Sequence, residues 1–161
     1  MPDYLRVLSR YSHWPRPDRP EWGEPALEDL VEEEVSVYRV DSERALEAVV
    51  VGFSAGRRNP QHLDFVLLPE SLLLEVGGIL AHTPQNCSLP VAAVRELHFD
   101  LTGVSPEAAR QVLERLSPEF GRLARRSRRR DIVQLAIRAR QQGWPEVTAQ
   151  EWGQVPAWLL E

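Results

Sequence analysis

Eight arginines crowd one short stretch of the chain: Arg122, Arg125, Arg126, Arg128, Arg129, Arg130, Arg138 and Arg140. Guanidinium groups at this density suit charge-assisted hydrogen bonds to carboxylates or phosphates. If the stretch is helical, residues three or four apart line up, and Arg122, Arg126, Arg129 and Arg130 form one positive ridge. No aromatic residue interleaves the cluster, as a base-stacking platform requires. The whole chain is acidic, with net charge −5, whereas nucleic-acid domains are usually basic. A protein partner held by Arg122, Arg125, Arg126, Arg128, Arg129 and Arg130 is therefore the first expectation, and a nucleic acid on the same ridge the second. The plain alternative is a solvated face, or one paired with the acidic stretch 28–34.

The remaining chemistry-bearing residues are sparser. The histidines are His13, His62, His82 and His98, and the lone cysteine is Cys87. His82, Cys87 and His98 match no common zinc spacing, and one cysteine does not make a structural zinc site. A Cys87 nucleophile with a histidine base is allowed by inventory, which makes a small enzyme of unrecognised type the third expectation. Acid–base pairs such as Asp64 with Glu70 need geometry before they can be ranked. All 19 basic residues are arginine. Without lysine there is no standard phosphate-binding loop and no Schiff-base chemistry, which removes pyridoxal phosphate enzymes and lysine-dependent aldolases. Gly77-Gly78 is only a pair, not the glycine-rich loop of a dinucleotide site. No catalytic residue, metal ligand or cofactor is assigned.

The elements that would position these groups fall into three stretches. Residues 1–34 read as an arm: 4–8 is too short to classify, four prolines break 14–25, and EDLVEEE closes a short helix begun near Pro25. Trp14 and Trp22 are expected to dock on the body of the protein, with a proline-rich ligand motif as the alternative. Residues 35–89 read as a small α/β unit. VSVYRV is a strand, Asp41 or Ser42 caps a helix with Leu46, Val49, Val50 and Phe53 on one face, and 63–68 is a strand covered on both sides. Strand, crossover helix and strand would give two parallel neighbours. Pro69 and Glu70 open another short helix, which Gly77-Gly78 stops.

Residues 90–161 read as helical. Pro90 opens a helix to about Phe99. Ser105-Pro106-Glu107 starts another, with Ala108, Ala109, Val112, Leu113 and Leu116 as its apolar stripe. Ser117-Pro118-Glu119 repeats the start signal, giving two helices with almost no linker. The segment 120–143 is then helical, broken near Ser127 or continuous, with Ile132, Leu135, Ala136 and Ala139 on one face and Gly143 as its stop. Thr148 and Glu151 have capping-box spacing for a last short helix, and Trp152 and Trp158 are expected to pack. The fold class is α/β (mixed α+β), a small βαβ-type unit followed by a C-terminal helical part.

Two fragments of that last part, VRELHFDLTGVS (94–105) and RRRDIVQLAIRARQQGWPEV (128–147), resemble the helix-and-turn segment and the closing helix of bacterial death-like effector-associated domains. The spacing between the fragments is longer here, and 35–75 lies outside that domain type. The resemblance implies a helical-bundle portion and an adaptor role in a bacterial defence or signalling complex, and it supplies no active site. Charge distribution fits an interaction role too: residues 1–116 carry 11 Arg against 19 acids (−8), and 117–161 carry 8 against 5 (+3). That asymmetry suits an acidic partner, or pairing of the two parts with each other. A single cysteine forms no internal disulfide, the first residues show no apolar run of signal-peptide length, and no stretch has the apolar length of a membrane span. A cytoplasmic protein is expected.

Overall fold

The run DYLRV, too short to classify alone, is the strand on which the sheet is built. The computed structural model describes residues 2–9, 11–15, 19, 21–55, 61–120 and 125–145. In it β1 (Asp3–Val7) pairs antiparallel with β2 (Val35–Val40) on one side and β3 (His62–Pro69) on the other. β5 (His98–Thr102) extends the sheet beyond β2, and β4 (Ile79–His82) closes that edge. β6 (Arg125–Arg128) forms the opposite edge beside β3. The order is β4-β5-β2-β1-β3-β6, and every neighbouring pair is antiparallel.

The expected parallel pair is thereby corrected. β2 and β3 run the same way, but β1 lies between them, so the β2-helix-β3 crossover is split. The continuous apolar run of β3 reflects helices on both faces, which any internal strand of a three-layer fold requires.

Strand alternation sorts the core into two layers. On one face Leu5, Tyr38, Val40, Leu63, Phe65 and Leu67 pack against α2 (Glu43–Ala55), α4 (Ala92–Arg95) and α6 (Arg129–Gln142). On the other, Tyr4, Val35, Val37, Val66, Leu68 and Leu101 pack against α1 (Pro25–Val31), α3 (Glu70–Glu75), α5 (Pro106–Phe120) and the buried Trp14. The sheet is a mixed α/β core interleaved with helices, and it draws strands from all three stretches of the sequence.

Local rules explain the starts and stops. Ser42 Oγ accepts the Ala45 amide at 3.1 Å, and Ser105 Oγ accepts the Ala108 amide at 3.1 Å. Gly77 (φ 91°) follows α3, and Gly143 (φ 63°) ends α6, conformations that favour glycine. The stripe of α5 is buried as its spacing predicts, and so are Ile132, Ala136 and Ala139 of α6.

Three helical expectations give way. The helix after Pro90 is a single turn, and His98–Thr102 is a strand between β2 and β4. HFDLT alternates faces once it has neighbours: His98 and Asp100 lie on one side, Phe99 and Leu101 on the other. Ser117-Pro118-Glu119 opens nothing, because α5 runs through it to Phe120 at the cost of one backbone donor. Arg125–Arg128 is a strand, and the helix begins only at Arg129. The expected helical fragments 94–105 and 128–147 are thus a one-turn helix with β5, and the end of β6 with α6. The expectations for Thr148, Glu151, Trp152 and Trp158 lie outside the described residues. Among the described residues no helix is long and apolar enough to cross a membrane.

Candidate interaction surface

β6 is held to β3 in the register Phe65↔Arg125, Asp64↔Arg126, Leu63↔Ser127 and His62↔Arg128. Period-two alternation sends Arg125 and Ser127 to one face and Arg126 and Arg128 to the other. The helical ridge of Arg122, Arg126, Arg129 and Arg130 therefore does not form. Arg122 lies outside the described residues, and Arg126 sits on a strand, reaching across to Asp64 while its side chain stays partly exposed.

Arg126 is a clamp. Its Nε and Nη2 donate to the two carboxylate oxygens of Asp64 at 2.7 and 3.1 Å. Asp64 is the one acid in the β3 apolar run, and it is buried. His62 Nε2 lies 3.3 Å from the same carboxylate, and the Arg126 guanidinium sits 4.6 Å from the Tyr11 ring centroid. The hydrogen bonds to Asp64 hold the Arg126 charge more firmly, raising its pKa despite some desolvation. An aligned two-point bond to a buried carboxylate explains why a run of arginines forms a strand here. Two separate hints stood in the chain, an acid inside an apolar run and a dense basic segment. Their pairing is a contact 62 residues apart.

The other arginines are differently placed. Arg125, Arg128 and Arg130 are exposed. Among the described residues neither Arg125 nor Arg128 has a carboxylate within ion-pair distance, and Arg130 reaches only its neighbour Asp131, at 3.9 Å with both side chains exposed. Arg138 pairs with Glu47 at 3.4 Å. Arg129 is half-buried, and its amide donates to the Gln61 carbonyl at 3.0 Å. From the acidic stretch, Glu32 pairs with Arg6 at 3.4 Å. Arg128, Arg129 and Arg130 also occupy the cap and first turn of α6, which has no side-chain cap. Cations there oppose the helix dipole, each at a cost of about 0.3–1 kcal/mol.

His62 belongs to this surface, opposite Arg128 and against Asp64, whereas His82, His98 and Cys87 lie on β4, β5 and the loop between them. His98 is buried, with Nδ1 2.9 Å from the Thr83 carbonyl oxygen and 3.1 Å from Thr83 Oγ1, and Nε2 3.9 Å from Asp100 Oδ1. Asn86 Nδ2 donates to Asp100 Oδ2 at 2.8 Å. Cys87 Sγ sits 3.4 Å from Tyr38 Oη, and the Tyr38 ring meets the His98 ring edge-on at 5.3 Å. Burial pushes the Tyr38 phenol above its ordinary 10.0, and the Cys87 contact adds to this. His82 turns away, with Nε2 2.7 Å from the Glu96 carbonyl oxygen. Among the described residues no group of three or more histidine, cysteine, aspartate or glutamate side chains is placed to hold a metal ion. Asp64 and Glu70 are not brought together as an acid–base pair, since Asp64 is taken by Arg126 and Glu70 lies 3.5 Å from Tyr4 Oη.

One cleft opens where β1 and β2 part after the Leu5↔Tyr38 pair. It has a volume of about 340 Å³, with Arg6, Ser36, Tyr38 and Phe53 in its walls. Arg6 ties it together internally: Nε donates to the Asp29 carbonyl at 3.1 Å and Nη1 to the Ser36 carbonyl at 3.4 Å. Asp29, buried beneath, accepts Trp14 Nε1 at 2.8 Å and Ser9 Oγ at 3.3 Å. That network docks the N-terminal arm, and Trp14 anchors it as expected. No protein family, no curated protein and no solved structure matches the chain.

Proposed function

We propose that the chain is a non-catalytic protein-interaction module, an adaptor or subunit of a bacterial complex, that takes an acidic partner on Arg125, Arg128 and Arg130. The observation that carries this reading is the contrast within one cluster. Arg126 and Arg138 have carboxylates of their own, while Arg125 and Arg128 have none among the described residues and Arg130 stands against the dipole of its own helix. An acidic segment laid along this edge would neutralise both penalties at once. Exposed pairs are individually worth about 0–1 kcal/mol, so such a surface contributes chiefly to encounter rate and orientation. Arg122 and Arg129 remain candidate contacts flanking it.

The test is a triple charge reversal, Arg125→Glu, Arg128→Glu and Arg130→Glu, compared with wild type in pull-downs with and without nuclease. The exposed positions tolerate the change, and acids in the first turn of α6 favour the helix. A stoichiometric protein partner that survives nuclease and is lost with the triple variant supports the module. Binding that is identical in the two chains overturns it. The second reading is nucleic-acid binding by the same arginines, favoured by the density of guanidinium groups alone. It predicts nuclease-sensitive retention whose affinity falls steeply with salt, with a log–log slope of about −0.9 per phosphate contacted.

A further inference from the structure

The sheet has two edges of opposite character. β6 reads RRSR, and a second copy laid against it would meet like charge. β4 reads ILAH and carries no acid, lysine or arginine. We infer that two copies of the chain pair through β4, antiparallel, with Ala81 opposite Ala81 on the two-fold axis.

The backbone sets the register. The Thr83 amide donates to the His98 carbonyl at 3.1 Å, which marks a hydrogen-bonded position. Alternation along an antiparallel ladder then turns the N–H and C=O of Ile79 and Ala81 toward β5, and those of Leu80 and His82 outward. Two outward residues separated by one define a self-complementary edge. Leu80 of each copy exchanges both bonds with His82 of the other, and Ala81, exposed and small, falls at the centre.

The side chains agree. Ile79 is 61% exposed and Leu74, on the helix leading into β4, is 51% exposed. Ile79 lies along Gly103, which has no side chain to cover it. Trp144, the third large apolar residue exposed among those described, already donates to the Arg44 carbonyl and carries the Arg44 guanidinium on its ring. An uncharged edge with an exposed isoleucine sets no like charge against pairing, and the arginines of β6 supply that charge at the other end. A second copy fits because the two edges are neutral, equal in length and complementary in backbone polarity.

The experiment is sedimentation equilibrium of the full chain over a wide concentration range, with amide hydrogen exchange read at Leu80 and His82. Wild type is expected to pass from monomer to dimer as concentration rises, and both amides to become protected over the same range. Ala81→Lys puts like charges face to face on the axis, and should weaken the dimer by about tenfold or more with an unchanged circular dichroism spectrum. Ile79→Lys, at an exposed position, serves as the second variant with the same expectation. A chain that stays monomeric with freely exchanging Leu80 and His82 overturns the inference. So does a dimer that survives Ala81→Lys and Ile79→Lys unchanged, whose interface must lie elsewhere. Neither variant touches Arg125, Arg128 or Arg130, so failure here leaves the acidic-partner reading standing, and the converse.

Discussion

Asp64 and Arg126 show how one pair can decide what a segment becomes. Asp64 is buried with its side chain only 8% exposed, while the Arg126 side chain keeps 40% of its surface in water. Breaking a fully buried pair costs about 3–5 kcal/mol, and partial exposure of Arg126 screens some of that. Arg126→Ala is therefore expected to cost about 2 kcal/mol, because Asp64 keeps its burial and loses its two-point partner. In urea titrations Asp64→Asn should cost a similar amount, and the double variant little more than either alone, since both act through one contact. A loss below about 0.5 kcal/mol for Arg126→Ala would make the pair an ordinary surface bridge. Arg125 sits on the same strand and lacks such a partner, so substituting it should leave stability nearly unchanged, while replacing Arg128, at the cap of α6, should relieve a helix-dipole penalty and cost nothing.

At the scale of elements, the close approach of α2 and α4 is the sharpest constraint. Gly52 lies inside α2, where alanine would ordinarily favour the helix by about 1 kcal/mol. A Cβ there would stand 2.7 and 2.8 Å from the two Val94 methyl carbons of α4. Valine is β-branched and stiff, so it cannot swing aside. Gly52→Ala should therefore destabilise the protein by about 1–2 kcal/mol, seen as a lower melting temperature. In a Val94→Ala background the same substitution should become neutral or stabilising, because the obstructing methyls are gone. If Gly52→Ala is stabilising in the wild-type background, the two helices are not packed this closely.

At the scale of the molecule, both apolar layers share one sheet, and β1 at its centre supplies Tyr4 to one layer and Leu5 to the other. Neither layer can open without exposing strands that the other needs. Unfolding should accordingly be one cooperative transition, with tryptophan fluorescence, to which buried Trp14 contributes, coinciding with far-ultraviolet circular dichroism. Separate midpoints would mean that the layers unfold independently. The charge asymmetry between 1–116 and 117–161 is partly consumed inside the fold, since Arg126 and Arg138 pair with Asp64 and Glu47 across the two parts. Among the described residues, what is left at the β6 edge is a smaller and more localised positive surface than the sequence suggests.

Elements with local signals could be read from the residues alone. VSVYRV became β2, Ser42 and Ser105 capped α2 and α5, the β3 run was covered on both faces, and Gly143 stopped α6. Each depends on residues within a few positions of one another, through caps, glycine conformations or apolar periodicity. Tertiary structure alone decided the placement of β1 between β2 and β3, the strand in HFDLT and the strand in RRSR. A strand of four or five residues gains its hydrogen bonds from a neighbour distant in the chain, and its preference is set by that neighbour more than by its own composition. The candidate surface divides in the same way. The density of arginines was legible in the sequence, but which guanidinium is clamped and which faces solvent depended on where the single acid of β3 lay across the ladder.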